Sequence, residues 1–351
     1  LNRKPDNLAD RETLRKEFIG RCGWGDAQVL PLVPDASFRC YYRLTRARES
    51  VMLMDAPPEQ ENARAFLKVT ELLARAGIRV PAIHASDPLH GFILMEDLGD
   101  ETFTALLQSG ASERDLYDQA VSVLLKLHGN REVVHTDLGE YNFEALLREA
   151  RLFVEWYLPA TRGGRLSREC ESGYDEAWQL IYQGLPDLPP TLVVRDYHVD
   201  NLMLVNGQCV LLDYQDALVG SPAYDVVSLL EDARRDIDAK MAHDVLERYL
   251  GGRPGLDRRD FMHHYAAWGA QRHCKVAGIF TRLWLRDNKP AYLRHLSRVL
   301  GLLQKNVEKP PLEPLRQWFV DNDIILRGGE FEFSRGELIK LMENEPTDFS
   351  I

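Results

Sequence analysis

TLVVRDYHVDNLMLVNGQCVLLDYQD, residues 191–216, is the stretch from which the rest of the chain can be read. Leu192-Val193-Val194 is a short apolar run and reads as a buried strand. A polar loop, residues 195–201, follows it. Two further apolar runs, 202–205 and 209–212, flank Asn206-Gly207. Asn-Gly between β-rich runs predicts a two-residue hairpin, because both turn positions require positive φ. The register then pairs 205 with 208 and runs back until 201 faces 212 and 200 faces 213. Asn201 and Asp213 become diagonal neighbours on adjacent strands, near enough to share a hard cation such as Mg²⁺, which takes its remaining ligands from water and phosphate. Asp196 stands in the loop, free to face a substrate. One carboxylate for a nucleophile, with an Asn and an Asp for metal, is the set that phosphoryl transfer uses. The bland alternative is a capped turn in which Asp196 and Asn201 bond their own backbone.

The D-x-x-x-x-N pattern (Asp196 to Asn201) followed by an apolar hairpin ending in Leu-Leu-Asp resembles the aminoglycoside phosphotransferase-like kinases. The resemblance implies that Asp196 is the catalytic aspartate and that Asn201 and Asp213 hold Mg²⁺. It also implies an α+β, bilobal, protein-kinase-like fold. A small antiparallel-sheet lobe with one main helix (residues 1–97) would cover ATP. A larger, mostly helical lobe (98–351) would carry the catalytic hairpin, with 310–351 a tail of no assigned role.

Composition agrees with an ordinary globular protein: 45% hydrophobic, 28% charged, net charge −11. That acidity, with no Lys/Arg block, excludes a nucleic-acid partner and leaves a small-molecule substrate. Five scattered cysteines without C-x-x-C suggest reduced thiols and a cytoplasmic protein. No apolar run reaches the roughly 18 residues of a membrane span. P-loop and Rossmann fingerprints are both absent. The sequence says nothing of oligomeric state.

Taken in order, 8–22 predicts a helix, then 27–32, 38–44 and 51–54 predict strands. The connection before Phe38 would cover the nucleotide phosphates. It has no glycine, so Ser37 and Arg39 become the candidates for phosphate contact, with Arg43 on the same strand face. The third strand, Val51-Met52-Leu53-Met54, lacks the lysine that kinase-like proteins place there. Either Arg39 or Arg43 replaces it, or the site works without it; as an alternative both are solvated. A helix over 59–76 follows, with Glu61 and Glu71 expected to face solvent, or one of them to pair with whatever replaces the missing lysine, and then strands over 78–83 and 91–95. Glu96-Asp97-Leu98-Gly99 sits where a hinge would hold adenine, making Glu96 and Leu98 candidates for cofactor contact. Helices are expected over 115–128, 142–157 and 167–183. His128 reads as a core histidine. Asp225 reads as a support for the catalytic loop or the helix start.

Outside the core motif, D-A-S-F-R-x-Y-x-R (35–43), V-M-x-M-D-A-P-P (51–58), L-F-x-E-W-Y (152–157), L-D-Y-Q-D-A (212–217) and Q-R-H-x-K-V-x-G-I-F-x-R-L (271–283) more closely resemble the bacterial anomeric kinases of N-acetylmuramate and N-acetylglucosamine. Their third strand also lacks the lysine. One position departs, Val194 where that family's motif would carry His. Another small-molecule kinase, for aminoglycosides, choline or another alcohol, stays open; a cationic acceptor would need acids such as Glu155, Asp200 and Asp216. So does a nucleotide-binding protein without catalysis, although a binder has no need of the Asp196 base.

Overall fold

A computed structural model describes residues 5–32, 38–326, 328 and 331–343. It divides into two compact units, Leu1–Val123 with Val199–Ala217, and Leu124–His198 with Leu218–Ile351. The expected lobe boundary at residue 97 coincides with the end of a strand. The compact division instead falls inside a later helix and counts the hairpin with the sheet. None of the helices among the described residues is long and apolar enough to cross a membrane.

In the first unit, α1 (Pro5–Arg21) precedes β1 (Gln28–Pro31), β2 (Cys40–Arg46) and β3 (Glu49–Asp55). Helix α2 (Ala63–Arg75) connects to β4 (Ile83–Asp87) and β5 (Phe92–Glu96), completing an antiparallel sheet of order β1-β2-β3-β5-β4. Period-two alternation puts Leu44, Val51, Leu53, Phe92 and Leu94 on one face, packed on Phe18 and Ile19 of α1. Arg11 and Arg15 tie α1 to the buried Asp55 at the end of β3. Helix α2 starts at Ala63 and not at 59, because the Asn62 side chain caps it by accepting from Ala65 N at 3.0 Å. The strand expected over 78–83 begins only at Ile83. Pro81 cannot donate to a ladder, and the Arg79 carbonyl is spent on Leu211 N at 3.0 Å.

After α3 (Phe103–Gln108) and α4 (Glu113–Gly129), the chain leaves this unit and returns for a short turn, Val199–Asn201, and the hairpin β7 (Leu202–Val205) and β8 (Gln208–Leu211). The hairpin has the register read from the sequence: Val205 pairs with Gln208, Leu202 with Leu211, and Asn206 and Gly207 have φ of 51° and 75°. Tyr214 locks the segment that leaves it to α2, stacking on Phe66 at 5.2 Å and sharing a 2.9 Å hydrogen bond with Thr70.

The second unit adds α5 (Phe143–Ala150), α6 (Leu158–Arg162), α7 (Arg168–Gly184), β6 (Thr191–Val193), β9 (Leu218–Gly220), α8 (Ala223–Leu230), α9 (Ala239–Gly251), α10 (Arg258–Leu285), α11 (Leu296–Val307), α12 (Glu313–Asp321) and α13 (Arg335–Glu343). β6 pairs antiparallel with β9. The single helix expected over 142–157 is interrupted: α5 ends at Ala150, and Phe153–Tyr157 form a π-turn before α6. Helix α10 is the axis of the unit, buried along most of its 28 residues, polar ones included. The tail has a structural place. Trp318 on α12 donates to the Cys170 carbonyl at 2.9 Å, and Leu338 on α13 packs with Ala160 and Leu285.

Gly278 is where α10 meets the chain entering the π-turn. A Cβ there would lie 2.2 Å from the Leu152 carbonyl oxygen. Gly278→Ala is therefore expected to destabilise the protein by about 1–3 kcal/mol, the usual range for overpacking, measured by urea unfolding.

Candidate functional site

The candidate residues fall into two groups, one in each compact unit. In the first unit, Leu212 N donates to the Asn201 carbonyl at 2.9 Å, extending the hairpin ladder by one pair. Asp213, two residues past the end of β8, then takes φ 55°. Asn201 Nδ2 lies 3.5 Å from Asp213 Oδ2. The other carboxylate oxygen accepts from Arg39 at 2.9 Å and from Gln215 at 3.0 Å. Arg39, only 11% exposed, also stands 3.6 Å from Glu61. Of the readings that the sequence left open, the solvated one fails for Arg39, and Glu61, expected to face solvent, is instead the acid drawn inward by that guanidinium. Glu71 does face solvent, beside Arg75. Burial works against the charge on Arg39, but Tyr41, Asp213 and Glu61 raise its pKa further than burial lowers it. Burial beside these charges pushes the Tyr41 phenol up to about 12.

Arg43 does not join this group. It grips the exit from β5, with Asp97 at 2.9 Å and Asp100 at 2.8 Å. The Glu96 carboxylate is likewise occupied, by Arg79 and by Ala82 N at 3.1 Å, so any contact with a base there falls to backbone; Leu98 is half-buried beyond it. Asp200 accepts from the Thr104 hydroxyl and anchors the hairpin to α3. Asp216 is exposed, its carboxylate 3.4 Å from Gln215 Nε2. Ser37 lies outside the described residues.

In the second unit, β6 ends and the loop is caught at once. Val194 N and Arg195 N donate to the two oxygens of the fully buried Asp225 carboxylate, at 2.9 and 2.8 Å. His128 Nε2 stands 3.4 Å from the same carboxylate, and its Nδ1 is 2.8 Å from the Tyr249 hydroxyl. A histidine therefore supports this loop from α4 and not from position 194, which is a buried valine. Arg195 adopts φ 72°. Asp196 N folds back on the Val194 carbonyl at 2.9 Å.

Helix α10 supplies what sequence reading missed. Arg272 Nη1 donates to the Arg195 carbonyl at 3.1 Å and stands 3.5 Å from Asp196 Oδ1. Lys275, three residues on and hence on the same face, reaches Glu149 at 3.0 Å. Glu149 also binds Arg195 and the Tyr141 hydroxyl. Crowding around Asp196 favours its neutral form, but Lys275 and Arg272 outweigh that and hold its pKa well below the usual carboxylate range. The signal was present in Q-R-H-x-K, whose Arg and Lys are three apart on one helix face; their target was not readable. Glu155 belongs elsewhere, on the π-turn, 3.2 Å from Arg151, which also holds Glu171 and Asp175.

Residues 28–262 match the model of the phosphotransferase enzyme family. The chain belongs to that family. It is a phosphotransferase, as the catalytic stretch implied. It is 37% identical over 298 residues to a protein of Pseudomonas aeruginosa named N-acetylmuramate/N-acetylglucosamine kinase, covering 82% of this chain and 87% of that one. A protein of the same name from Caulobacter vibrioides is 32% identical over 350 residues, covering 89% and 96%. Among solved structures, a choline kinase from Streptococcus pneumoniae superposes with a TM-score of 0.60 at 13% identity, over 86% of this chain and 98% of that one. At that identity the family likeness is one of fold, the protein-kinase-like fold expected from sequence.

Asp225→Ala should cost about 1–3 kcal/mol for each loop amide left without an acceptor, read as a lowered urea midpoint. Burial also lowers the pKa of His128, His198 and His264, and brings His273 down to about 3. The unfolded chain takes up protons at these sites near pH 6.5 while the folded chain does not. Stability present above that pH should fall as pH drops from 7 towards 5, measured as Tm across that range.

Proposed function

We propose that this enzyme transfers the γ-phosphoryl group of ATP to the anomeric hydroxyl of N-acetylmuramate or N-acetylglucosamine. The observation that carries the substrate is the 32–37% identity, over most of the chain, to proteins named as kinases of these two sugars. The environment of Asp196 supports the position. A carboxylate held this strongly ionised is a weak base, poorly matched to an ordinary alcohol. An anomeric hydroxyl is the most acidic on the sugar, so accepting its hydrogen bond and its proton late in transfer is sufficient. Three cations, Arg195, Arg272 and Lys275, stand with two carboxylates, Glu149 and Asp196, in the second unit.

Asn201 and Asp213 would hold Mg²⁺. An Asn and an Asp side chain flanking the hairpin, with Asn201 Nδ2 3.5 Å from Asp213 Oδ2, suit an ion that keeps several water and phosphate ligands. That ion would neutralise charge on the β- and γ-phosphates. Arg39 would take the part of the missing strand lysine. It pairs with Glu61 as that lysine does with a helix glutamate, and its two-pronged guanidinium can bind phosphate while orienting Asp213. Backbone around Glu96 and Leu98 would hold adenine, with the hinge at residue 97 and Arg43 bracing it. Five free thiols suit the cytoplasm, where ATP is at hand.

The test supplies ATP and Mg²⁺ with N-acetylmuramate, N-acetylglucosamine, kanamycin and choline in turn. ADP release with either sugar, yielding an acid-labile sugar phosphate, is the expected result; turnover with kanamycin or choline alone overturns the acceptor. Asp196→Asn should lower kcat about 10²–10⁴-fold with ATP binding retained. Arg39→Met should raise the KM for ATP about tenfold or more, as loss of a charge-assisted phosphate contact does.

A further inference from the structure

Gln215 follows Asp213 by two residues, and its side chain turns back on it. Nε2 donates to Asp213 Oδ1 at 3.0 Å and stands 3.4 Å from Asp216 Oδ2. Two carboxylates on one side of the amide call for its N–H groups there, because an oxygen in that place would face theirs. Oε1 is thereby assigned to the other side. It is buried and accepts no hydrogen bond among the described residues. A buried amide oxygen is destabilising until a donor reaches it.

The backbone holds this side chain firmly. Tyr214 is buried and fastened to Thr70 and Phe66 of α2. Ala217 N donates to the Tyr214 carbonyl at 3.1 Å, closing a turn with Gln215 as its second residue. The two oxygens of Asp213 are thus treated differently. Arg39 and Gln215 both donate to Oδ1, at 2.9 and 3.0 Å, whereas Oδ2 faces Asn201 Nδ2 at 3.5 Å. Two donors on one oxygen keep the carboxylate from rotating, with its other oxygen towards Asn201. An ion shared by Asp213 and Asn201 keeps several waters, and water polarised by a divalent charge is a strong donor. Such a water is the kind of donor that Oε1 lacks.

We propose that Gln215 is a positioning residue of the divalent-ion site, fixing the Asp213 carboxylate through Nε2 and accepting through Oε1 from a water that the ion carries. This rests on the reading of Asn201 and Asp213 as the Mg²⁺ residues. It also accounts for an amide at this position, since one group must donate to Asp213 and accept from the ion's water. A glutamate would set a third carboxylate beside Asp213 and Asp216.

The test measures Mg²⁺ binding by titration calorimetry to the full chain saturated with a non-hydrolysable ATP analogue. Gln215→Met, which keeps the length of the side chain and removes both hydrogen-bonding groups, should weaken Mg²⁺ about ten- to a hundredfold. Gln215→Ala, which brings no new bulk into the turn, should lose the same factor. Gln215→Glu keeps an acceptor oxygen and should recover part of the loss. Affinity for the analogue in EDTA should stay at the wild-type value in all three, which a merely structural role would not allow. Unchanged Mg²⁺ affinity in Gln215→Met and Gln215→Ala, a Gln215→Glu variant as weak as either, or an equal loss of analogue binding in EDTA overturns the role of Gln215 and leaves the metal reading intact. A wild-type complex that takes up no Mg²⁺ overturns the metal reading and this proposal with it.

Discussion

The carboxylate of Asp225 accepts from two consecutive backbone amides, those of Val194 and Arg195, and the geometry of the catalytic loop depends on that pair of bonds. A non-glycine residue at φ 72°, as Arg195 is, costs of the order of 1–3 kcal/mol. Two charge-assisted hydrogen bonds inside a dry core contribute at least as much, about 1.5–3 kcal/mol each. The strained turn is therefore stable, and it sets Asp196 just beyond the end of β6. His128 and Tyr249 continue the network outward, so the loop is fixed from α4, α8 and α9 together.

The same unit settles how basic Asp196 is. Taking a carboxylate out of water favours its protonated form, and here that tendency loses to the positive charges of α10. The consequence is a carboxylate that favours its ionised form and holds a proton only weakly. Glu149 keeps the cations from being uncompensated, since it binds Arg195 and Lys275 at once. The ion pairs around Asp196 and those that hold Arg195 are thus one network, and its members cannot be changed independently.

In the sheet-bearing unit, β3 carries no lysine, and an arginine just before β2 stands among the acids instead. Arg39 reaches both Asp213 and Glu61 because the residue just before Cys40 lies beside the end of β3, where Cys40 pairs with Asp55. Arg43, on the same strand face, is committed to Asp97 and Asp100. Sequence offered both arginines as equals; four residues along the strand separate a phosphate-facing candidate from a brace.

Local chemistry by itself determined a good deal. The Asn-Gly turn dictated the hairpin register, and through it the neighbourhood of Asn201 and Asp213, because a two-residue turn and a period of two leave no freedom. The amphipathic stripes and caps located most helices, and Pro81 marked where a strand would be interrupted. What only the tertiary structure decided was long-range partnership: Arg272 beside Asp196, Lys275 on Glu149, and which of the open readings held for Asp225 and Glu61. Each joins residues distant along the chain, and a charged side chain has no periodicity that names its partner. Spacing says which residues share a face; only packing says what that face meets.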